Sequence, residues 1–204
     1  MKRIAALIAA VLFTAAGLNA QVGIIGGYTS SDISAAKTGN ASLYHIGLAY
    51  KAKVPFVGVT IQPSLQYSVK GVKVDTGIGE ASIKTSYLEL PVDLQWGVDL
   101  ILLRPFIQLS PFVGYQLNGE TKLARTESKW LDNALNKLEY GLGVGAGLDL
   151  LSFLQLSVQY YWNFGNLVDE NGSVTTDAAG NKILNTLGGN GNFSGVKISA
   201  ALFF

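Results

Sequence analysis

The sequence predicts an all-β fold, an eight-stranded antiparallel up-and-down transmembrane β-barrel with four long extracellular loops. Eight segments alternate apolar and polar residues with a period of two, short and long links alternate between them, and aromatic residues collect at both ends of the apolar faces. Composition agrees, because 49% of the 204 residues are hydrophobic, only 14% are charged and 24 are Gly. The net charge of +1 and the lack of Cys exclude a disulfide scaffold, a Cys-ligated metal site and a broad basic surface for nucleic acid.

The N-terminal residues predict export. Lys2 and Arg3 precede an apolar run over residues 4–16, and the small residue Ala20 follows. This layout is typical of a secretory signal peptide. The run is shorter than the roughly 20 residues that a membrane-spanning helix needs. We therefore expect residues 1–20 to be a signal peptide, cleaved between Ala20 and Gln21, and residues 21–204 to form the barrel domain.

Five segments with period-two alternation follow the signal peptide. They are residues 22–29, 43–51, 56–68, 87–97 and 104–115. Three prolines fall inside them, at positions 63, 91 and 111. Because Pro cannot donate a ladder hydrogen bond, we expect β-bulges or locally broken pairing at these positions.

Three C-terminal segments show the alternation most clearly. Residues 139–149 have an apolar face from Tyr140 to Leu148, and a second face of four glycines between Glu139 and Asp149. Residues 154–163 and 196–204 repeat the pattern. Each segment has about the 9 to 11 residues of a tilted transmembrane strand. The total of eight strands is even, as a closed antiparallel barrel requires.

The connections favour a membrane barrel over a soluble one. Residues 52–55, 98–103 and 150–153 are short links, whereas residues 30–42, 69–84, 116–138 and 164–194 are long links. This order is typical of compact periplasmic turns and extended outer loops, with both termini in the periplasm. The aromatic residues of the apolar faces form two bands: Tyr28, Tyr44, Tyr67, Tyr115, Tyr140, Tyr160 and Trp162 next to the long links, and Tyr50, Trp96 and Phe204 at the opposite ends. A soluble barrel or sandwich, the alternative, would carry more charge on its polar face.

Several short motifs, in order along the mature chain, resemble the PorT-like outer-membrane β-barrel domain family of small OmpA/OmpX-shaped barrels. The motifs are Gln62-Pro63-Ser64-Leu65-Gln66-Tyr67 with Lys70-Gly71, Tyr87-Leu88-Glu89-Leu90-Pro91-Val92, Arg104-Pro105-Phe106 before Gly114-Tyr115, the Gly143–Gly147 glycine repeat, and Leu202-Phe203-Phe204. The resemblance implies an eight-stranded barrel in the outer membrane of a Gram-negative bacterium. Its terminal aromatic residue resembles the signal that the barrel-assembly machinery recognises. The resemblance implies no single activity.

The inward faces predict a lumen filled by side chains. Eight strands enclose an interior just wide enough for side chains. The inward charged residues are Glu89, Asp93, Glu139 and Asp149, with Lys51, Lys197, His45 and Arg104 opposite in sign. Buried charges persist when they are paired, so we expect ion pairs rather than a conducting path. The glycine row of residues 141–147 would leave room for Tyr87, Gln159 or Tyr161.

No catalytic, cofactor-binding or metal-binding residue is predicted. His45 is the only His, and no G-x-S-x-G motif accompanies it, so a structural, paired His is expected. Residues 169–173 carry oxygen ligands resembling part of a calcium loop, but an Asn-Gly turn explains them more simply. The loop 120–137 contains Trp130, Leu131 and Leu135, which could form one short amphipathic helix. Residues 188–191 would be a flexible joint in the loop 167–193. For both loops the alternative is a disordered surface loop.

These observations predict an integral outer-membrane protein that is not an enzyme and has a structural or loop-mediated interaction role. The alternatives are a small transport pore and a lipid-modifying outer-membrane enzyme. The expected partners are outer-membrane lipid, the barrel-assembly machinery during insertion, and an extracellular ligand or protein bound through the loops.

Overall fold

The computed structural model describes residues 20–33, 39–54, 58–75, 80–123, 126–128, 138–164 and 193–204. The strands in these ranges are β1 (Ala20–Ile33), β2 (Gly39–Val54), β3 (Val59–Asp75), β4 (Glu80–Gly97), β5 (Leu103–Leu123), β6 (Thr126–Ser128), β7 (Leu138–Leu150), β8 (Leu154–Asn163) and β9 (Phe193–Phe203). Among the described strands, β6 pairs with β5 alone. The other eight form a closed antiparallel ring, because β9 pairs with β1 and β4 pairs with β5. The predicted eight-stranded barrel is confirmed.

Alternation along each strand separates an inner surface from an outer one. In β2, His45 and Lys51 are buried inside the ring, whereas Tyr44 and Leu48 are exposed on its outside. The predicted apolar faces are the outer faces in all eight ring strands. The core of this molecule is therefore the polar inner surface, which is the arrangement of a barrel surrounded by lipid.

The two ends of the barrel differ in their connections. The short links span residues 55–58, 98–102 and 151–153, and we call this the turn end and the opposite side the loop end. The last of these turns is tight, with Leu151 at φ 50° and Ser152 at φ 67°. In the ranges that the structure describes, no helix is long and apolar enough to cross a membrane.

Several strands extend farther at the loop end than predicted. Strand β3 ends at Asp75 and β4 begins at Glu80, so most of the predicted link 69–84 is a paired hairpin. Strand β5 similarly continues to Leu123. The predictions were wrong here because they ended each strand with its apolar face. Backbone pairing between antiparallel strands does not require that face and continues beyond it.

The short helix considered for the loop 120–137 is wrong for its described part. Residues 120–123 belong to β5, and β6 pairs with them from Thr121↔Ser128 to Leu123↔Thr126. Residues 129–137, with Trp130, Leu131 and Leu135, lie outside the described residues. So do residues 1–19 of the predicted signal peptide and the loop segments 169–173 and 188–191.

The three prolines inside strands interrupt pairing without shifting register. The β3–β4 pairs pass from Pro63↔Val92 to Gln66↔Glu89, leaving out the two positions that include Pro91. The β2–β3 and β4–β5 ladders skip two pairs beside Pro63 and Pro111 in the same way, again with the register unchanged. Locally broken pairing is therefore confirmed at these positions, and the bulge alternative is wrong there.

Candidate functional site in the lumen

The inward charges form two clusters in the lumen. The loop-end cluster contains Lys70, Glu89, Glu139 and Lys197. The turn-end cluster contains Lys51, Arg104 and Asp149. All seven side chains are buried. The predicted ion pairing is confirmed for Glu89, Glu139 and Asp149.

In the loop-end cluster, two carboxylates and two lysines share their charges. Lys70 Nζ lies 2.6 Å from Glu89 Oε1 and 2.7 Å from Glu139 Oε1. Lys197 Nζ donates to the other oxygen of Glu89. Asn163 donates to Glu139 Oε2 at 2.7 Å. Every charge in this cluster thus meets at least one opposite charge, which offsets the cost of its burial.

Aromatic rings enclose the lysine at the centre of the loop-end cluster. Lys70 Nζ lies 5.3 Å from the ring centroid of Tyr87, 4.8 Å from that of Phe112 and 5.0 Å from that of Tyr161. A cation within about 6 Å of a ring centroid is attracted by the ring quadrupole. The rings also exclude water from the ion pairs, which strengthens them.

In the turn-end cluster, one carboxylate serves two cations. Asp149 lies 2.6 Å from Lys51 Nζ and 3.2 Å from Arg104 Nη1. Arg104 also donates to the carbonyl oxygen of Gly58 at 3.0 Å. Its Nε lies 3.6 Å from Asp99, a residue that is largely exposed at the end of the barrel. This cluster is consequently connected to the solvent side of the turn end.

Three contacts cross the full width of the lumen. In the ring order β1-β2-β3-β4-β5-β7-β8-β9, strands four places apart face each other. Lys197–Glu89 joins β9 to β4, Lys51–Asp149 joins β2 to β7, and Gln62–Gln155 joins β3 to β8. Side chains from opposite walls therefore meet at the lumen axis.

The zone between the clusters is polar and uncharged except for Asp93. Gln159 accepts hydrogen bonds from Gln108 at 2.7 Å and from Ser110 at 3.0 Å. Asp93 is buried, with Ser110 as a hydrogen-bonding neighbour. Two buried side-chain oxygens described in this zone, Gln66 Oε1 and Gln108 Oε1, have no hydrogen-bond partner in the described part of the chain.

The glycine row of β7 makes room for neighbouring side chains, as predicted. A Cβ at Gly143 or Gly145 would contact Gln159, which confirms that member of the predicted set. At Gly141 and Gly147 the nearest side chains are instead Phe112 and Phe106. Strand β5 therefore supplies the rings that the prediction assigned to Tyr87 or Tyr161.

His45 is buried and bonded on both ring nitrogens. Nδ1 lies 3.0 Å from the hydroxyl of Thr29, and Nε2 lies 3.0 Å from the hydroxyl of Ser199. Gly27 of β1 lies between His45 and Ser199, because it pairs with His45 of β2 on one side and with Ser199 of β9 on the other. Because Gly27 has no side chain, the ring can reach across β1. The prediction of a paired His is confirmed, and Ser199 is a neighbour that the sequence did not indicate.

Sequence reasoning missed Lys70 as a lumen residue. The segment 56–68 ends before it, so Lys70 was assigned to a loop. Lys70 continues the inward alternation of Gln66 and Ser68, which places it on the inner face. Extending the predicted strand to residue 70 would have identified it. Among the residues that the structure describes, no group of three His, Asp or Glu side chains could hold a metal ion.

Comparison with known proteins identifies the family. Residues 14–169 match the sequence family described as "Outer membrane protein beta-barrel domain". The chain belongs to this outer membrane β-barrel family. Its lipid-facing surface is accordingly the apolar outer face described above. A search of curated protein sequences finds no match.

A search of solved structures finds other outer membrane proteins that resemble this barrel. Neisserial surface protein A (NspA) is 12% identical with a TM-score of 0.51, over 91% of this chain and 97% of that one. OprG from Pseudomonas aeruginosa is 12% identical with a TM-score of 0.48, over 92% and 97%. Ail, the attachment invasion locus protein of Yersinia pestis, is 10% identical with a TM-score of 0.48, over 91% and 97%. At these identities the likeness to NspA concerns the fold alone.

Proposed function

We propose that this outer membrane barrel is not an enzyme, that its lumen is closed to ions, and that it acts through its structure and its loops. The observation that carries the proposal is the set of contacts between opposite walls. Lys51 and Asp149 meet across the lumen at 2.6 Å near the turn end. Lys197 and Glu89 meet across it in the loop-end cluster. An ion would have to break both pairs to pass.

Conductance in planar bilayers tests this proposal. The purified barrel should insert without producing current steps, while a 16-stranded porin, which encloses an aqueous channel, serves as the positive control in the same bilayers. Heat-modified migration on gels would establish that the inserted protein is folded. Regular current steps from the folded barrel would contradict a closed lumen.

A small pore is the second candidate, and the middle zone favours it. Gln66 and Gln108 each carry a buried oxygen without a described partner, which is a feature of hydrated interiors. If the barrel is a pore, the unmodified protein should produce current steps. Lys51→Ala should increase that current because it removes the cross-lumen pair with Asp149, whereas no single variant on the outer surface should abolish it. The same conductance experiment therefore distinguishes the two candidates.

A lipid-modifying enzyme is the third candidate, and the contact between His45 and Ser199 is the reason to test it. A base within hydrogen-bond reach of a hydroxyl is the start of a nucleophilic site. Here the third group is the Thr29 hydroxyl rather than a carboxylate, and the three residues face the lumen instead of lipid. We infer a structural role, so His45→Ala and Ser199→Ala should both leave outer-membrane lipid composition unchanged. A change of lipid composition shared by both variants would favour the enzyme.

We also propose export to the outer membrane of a Gram-negative bacterium with removal of residues 1–20. Cleavage after Ala20 would cost β1 only its first pair, Ala20↔Ala52. The barrel-assembly machinery would then recognise the chain through Phe204. N-terminal sequencing of protein from isolated outer membranes should begin at Gln21, and an intact Met1 would contradict the proposal.

Membership of the PorT-like branch is a separate proposal, supported by the order of the motifs along residues 62–204. A binding partner for the long loops is a further one, since binding residues are disproportionately found on loops held by a rigid scaffold. Crosslinking in intact cells, with and without the segment 167–191, tests it. A partner that is lost with this segment while the barrel still inserts would support loop-mediated binding.

A further inference from the structure

An apolar rim occupies one side of the turn end. Leu100, Ile101 and Leu102 lie in the β4–β5 turn, and Leu151 and Phe153 lie in the β7–β8 turn. All five side chains are exposed, and Ile101 is 101% exposed. Soluble surfaces rarely carry large apolar side chains in contiguous groups. This rim is therefore a candidate contact surface.

The rim has a defined backbone structure. The N–H of Leu151 donates to the carbonyl of Leu102 at 3.0 Å, which joins the two turns. The N–H of Leu100 donates to the carbonyl of Leu103 at 2.9 Å, which closes the first turn. Leu151 also adopts a left-handed φ of 50°, a conformation that favours Gly or Asn. The turn thus keeps an exposed Leu at a position where a small or polar residue would cost less.

The mouth of the lumen at the turn end is polar. Lys53 follows the inward Lys51 by two residues, so it faces the lumen mouth. It lies 3.4 Å from Asp99 in the β4–β5 turn. The turn end is therefore polar at the mouth of the lumen and apolar at the outer edge of these two turns.

The rim continues the lipid-facing surface without a break. Leu103 and Ile107 of β5 are exposed on the outer face directly beyond Leu102. On the β7–β8 side, Phe153 leads into exposed Leu156 and Val158 of β8. An apolar surface continuous with one that contacts lipid is most stable in the same medium.

We propose that the rim is a membrane-contact surface that takes up phospholipid acyl chains of the leaflet on the turn side. Leu100, Ile101 and Phe153 are then buried among acyl chains, while Lys53 at the mouth of the lumen stays in water. A partner protein or a second copy of the chain would need the same surface to be free of lipid.

Site-specific fluorescence quenching tests this proposal. The chain contains no Cys, so single-Cys variants accept a fluorescent label at one position only. The test variant is Ile101→Cys. Because the Ile101 side chain is fully exposed, its replacement should not disturb packing. Leu202→Cys on the lipid-facing surface is the positive control, and Lys53→Cys is the matched control at the polar mouth of the lumen at the same end. Each labelled barrel is folded into dioleoylphosphatidylcholine vesicles with and without brominated acyl chains.

The label at position 101 should lose about half of its emission or more in brominated vesicles, as the label at 202 does, because both would sit among acyl chains. The label at 53 should be quenched by aqueous iodide instead. Iodide quenching at 101 equal to that at 53, without bromine quenching, would overturn the proposal. So would pyrene excimer emission at 101 that increases with the protein-to-lipid ratio, since that signal indicates a second copy. If Ile101→Cys does not fold, Leu102→Cys provides the same measurement.

Discussion

The two charged clusters of the lumen differ in their access to solvent. In the loop-end cluster, Glu89 and Lys70 are fully buried, and three aromatic rings surround the lysine. In the turn-end cluster, Arg104 reaches toward Asp99, which is 63% exposed. A charge that loses its partner in the first cluster has only buried groups around it, whereas Arg104 in the second cluster still has Asp99 and the pocket that both residues line at the turn end. The difference shows that an ion pair's importance depends on what replaces a lost partner.

The largest effect is expected for Glu89→Gln. This change keeps the shape of the side chain but removes its charge. Lys70 then keeps only its pair with Glu139, and Lys197 loses its pair with residue 89. Removing one partner of a buried ion pair costs about 3–5 kcal/mol. Urea unfolding in phosphatidylcholine vesicles should show a loss of this size. A loss below about 1 kcal/mol would indicate that solvent reaches the loop-end cluster, which would break the comparison.

A smaller effect is expected for Asp149→Asn at the turn end. Lys51 loses its carboxylate partner, but Arg104 keeps its bond to the Gly58 carbonyl and its approach to Asp99. Because Arg104 keeps these partners at the open end of the barrel, we expect a loss of about 2 kcal/mol. The same urea titration measures it. A loss equal to that of Glu89→Gln would mean that both clusters are sealed alike.

The glycines of β7 test whether packing beside the loop-end cluster is tighter than in the middle zone. A Cβ at Gly141 would meet the Trp162 carbonyl oxygen at 2.1 Å and the Phe112 ring at 2.5 Å. A Cβ at Gly143 would meet side-chain atoms of Gln159 and Ser110 at 3.3 Å. Gly141→Ala should therefore cost about 1–3 kcal/mol by overpacking, and Gly143→Ala less than about 1 kcal/mol. Equal costs for the two variants would show that the wall next to the loop-end cluster yields as easily as the middle zone.

The smallest effect is expected for Lys53→Gln. Its ion pair with Asp99 spans 3.4 Å between partly and largely exposed side chains. Pairs of this kind contribute about 0–1 kcal/mol and are screened by salt. The difference from the unmodified chain should disappear when unfolding is repeated at high salt. A loss that persists there would mean that Lys53 supports the turn-end cluster directly.

The sequence predicted correctly which residues face lipid and which face the lumen. It predicted the positions of the strand ends less accurately. The alternation in β8 correctly separated Gln155, Gln159 and Tyr161 from Leu156 and Trp162. The end of β3 was placed too early, and Lys70 was lost from the lumen as a consequence. Apolar residues indicate where lipid lies, but pairing beyond the lipid depends on the neighbouring strand.

By itself, the sequence determined which side chains face inward, because the period of two is a property of each strand alone. It therefore provided the clustered charged residues of the lumen other than Lys70, but not their pairing. Lys197 and Glu89 are 108 residues apart, and Lys70 and Glu139 are 69 apart. Only the tertiary structure decided these partners, because closure of the ring sets which strands face each other and at what height their side chains meet.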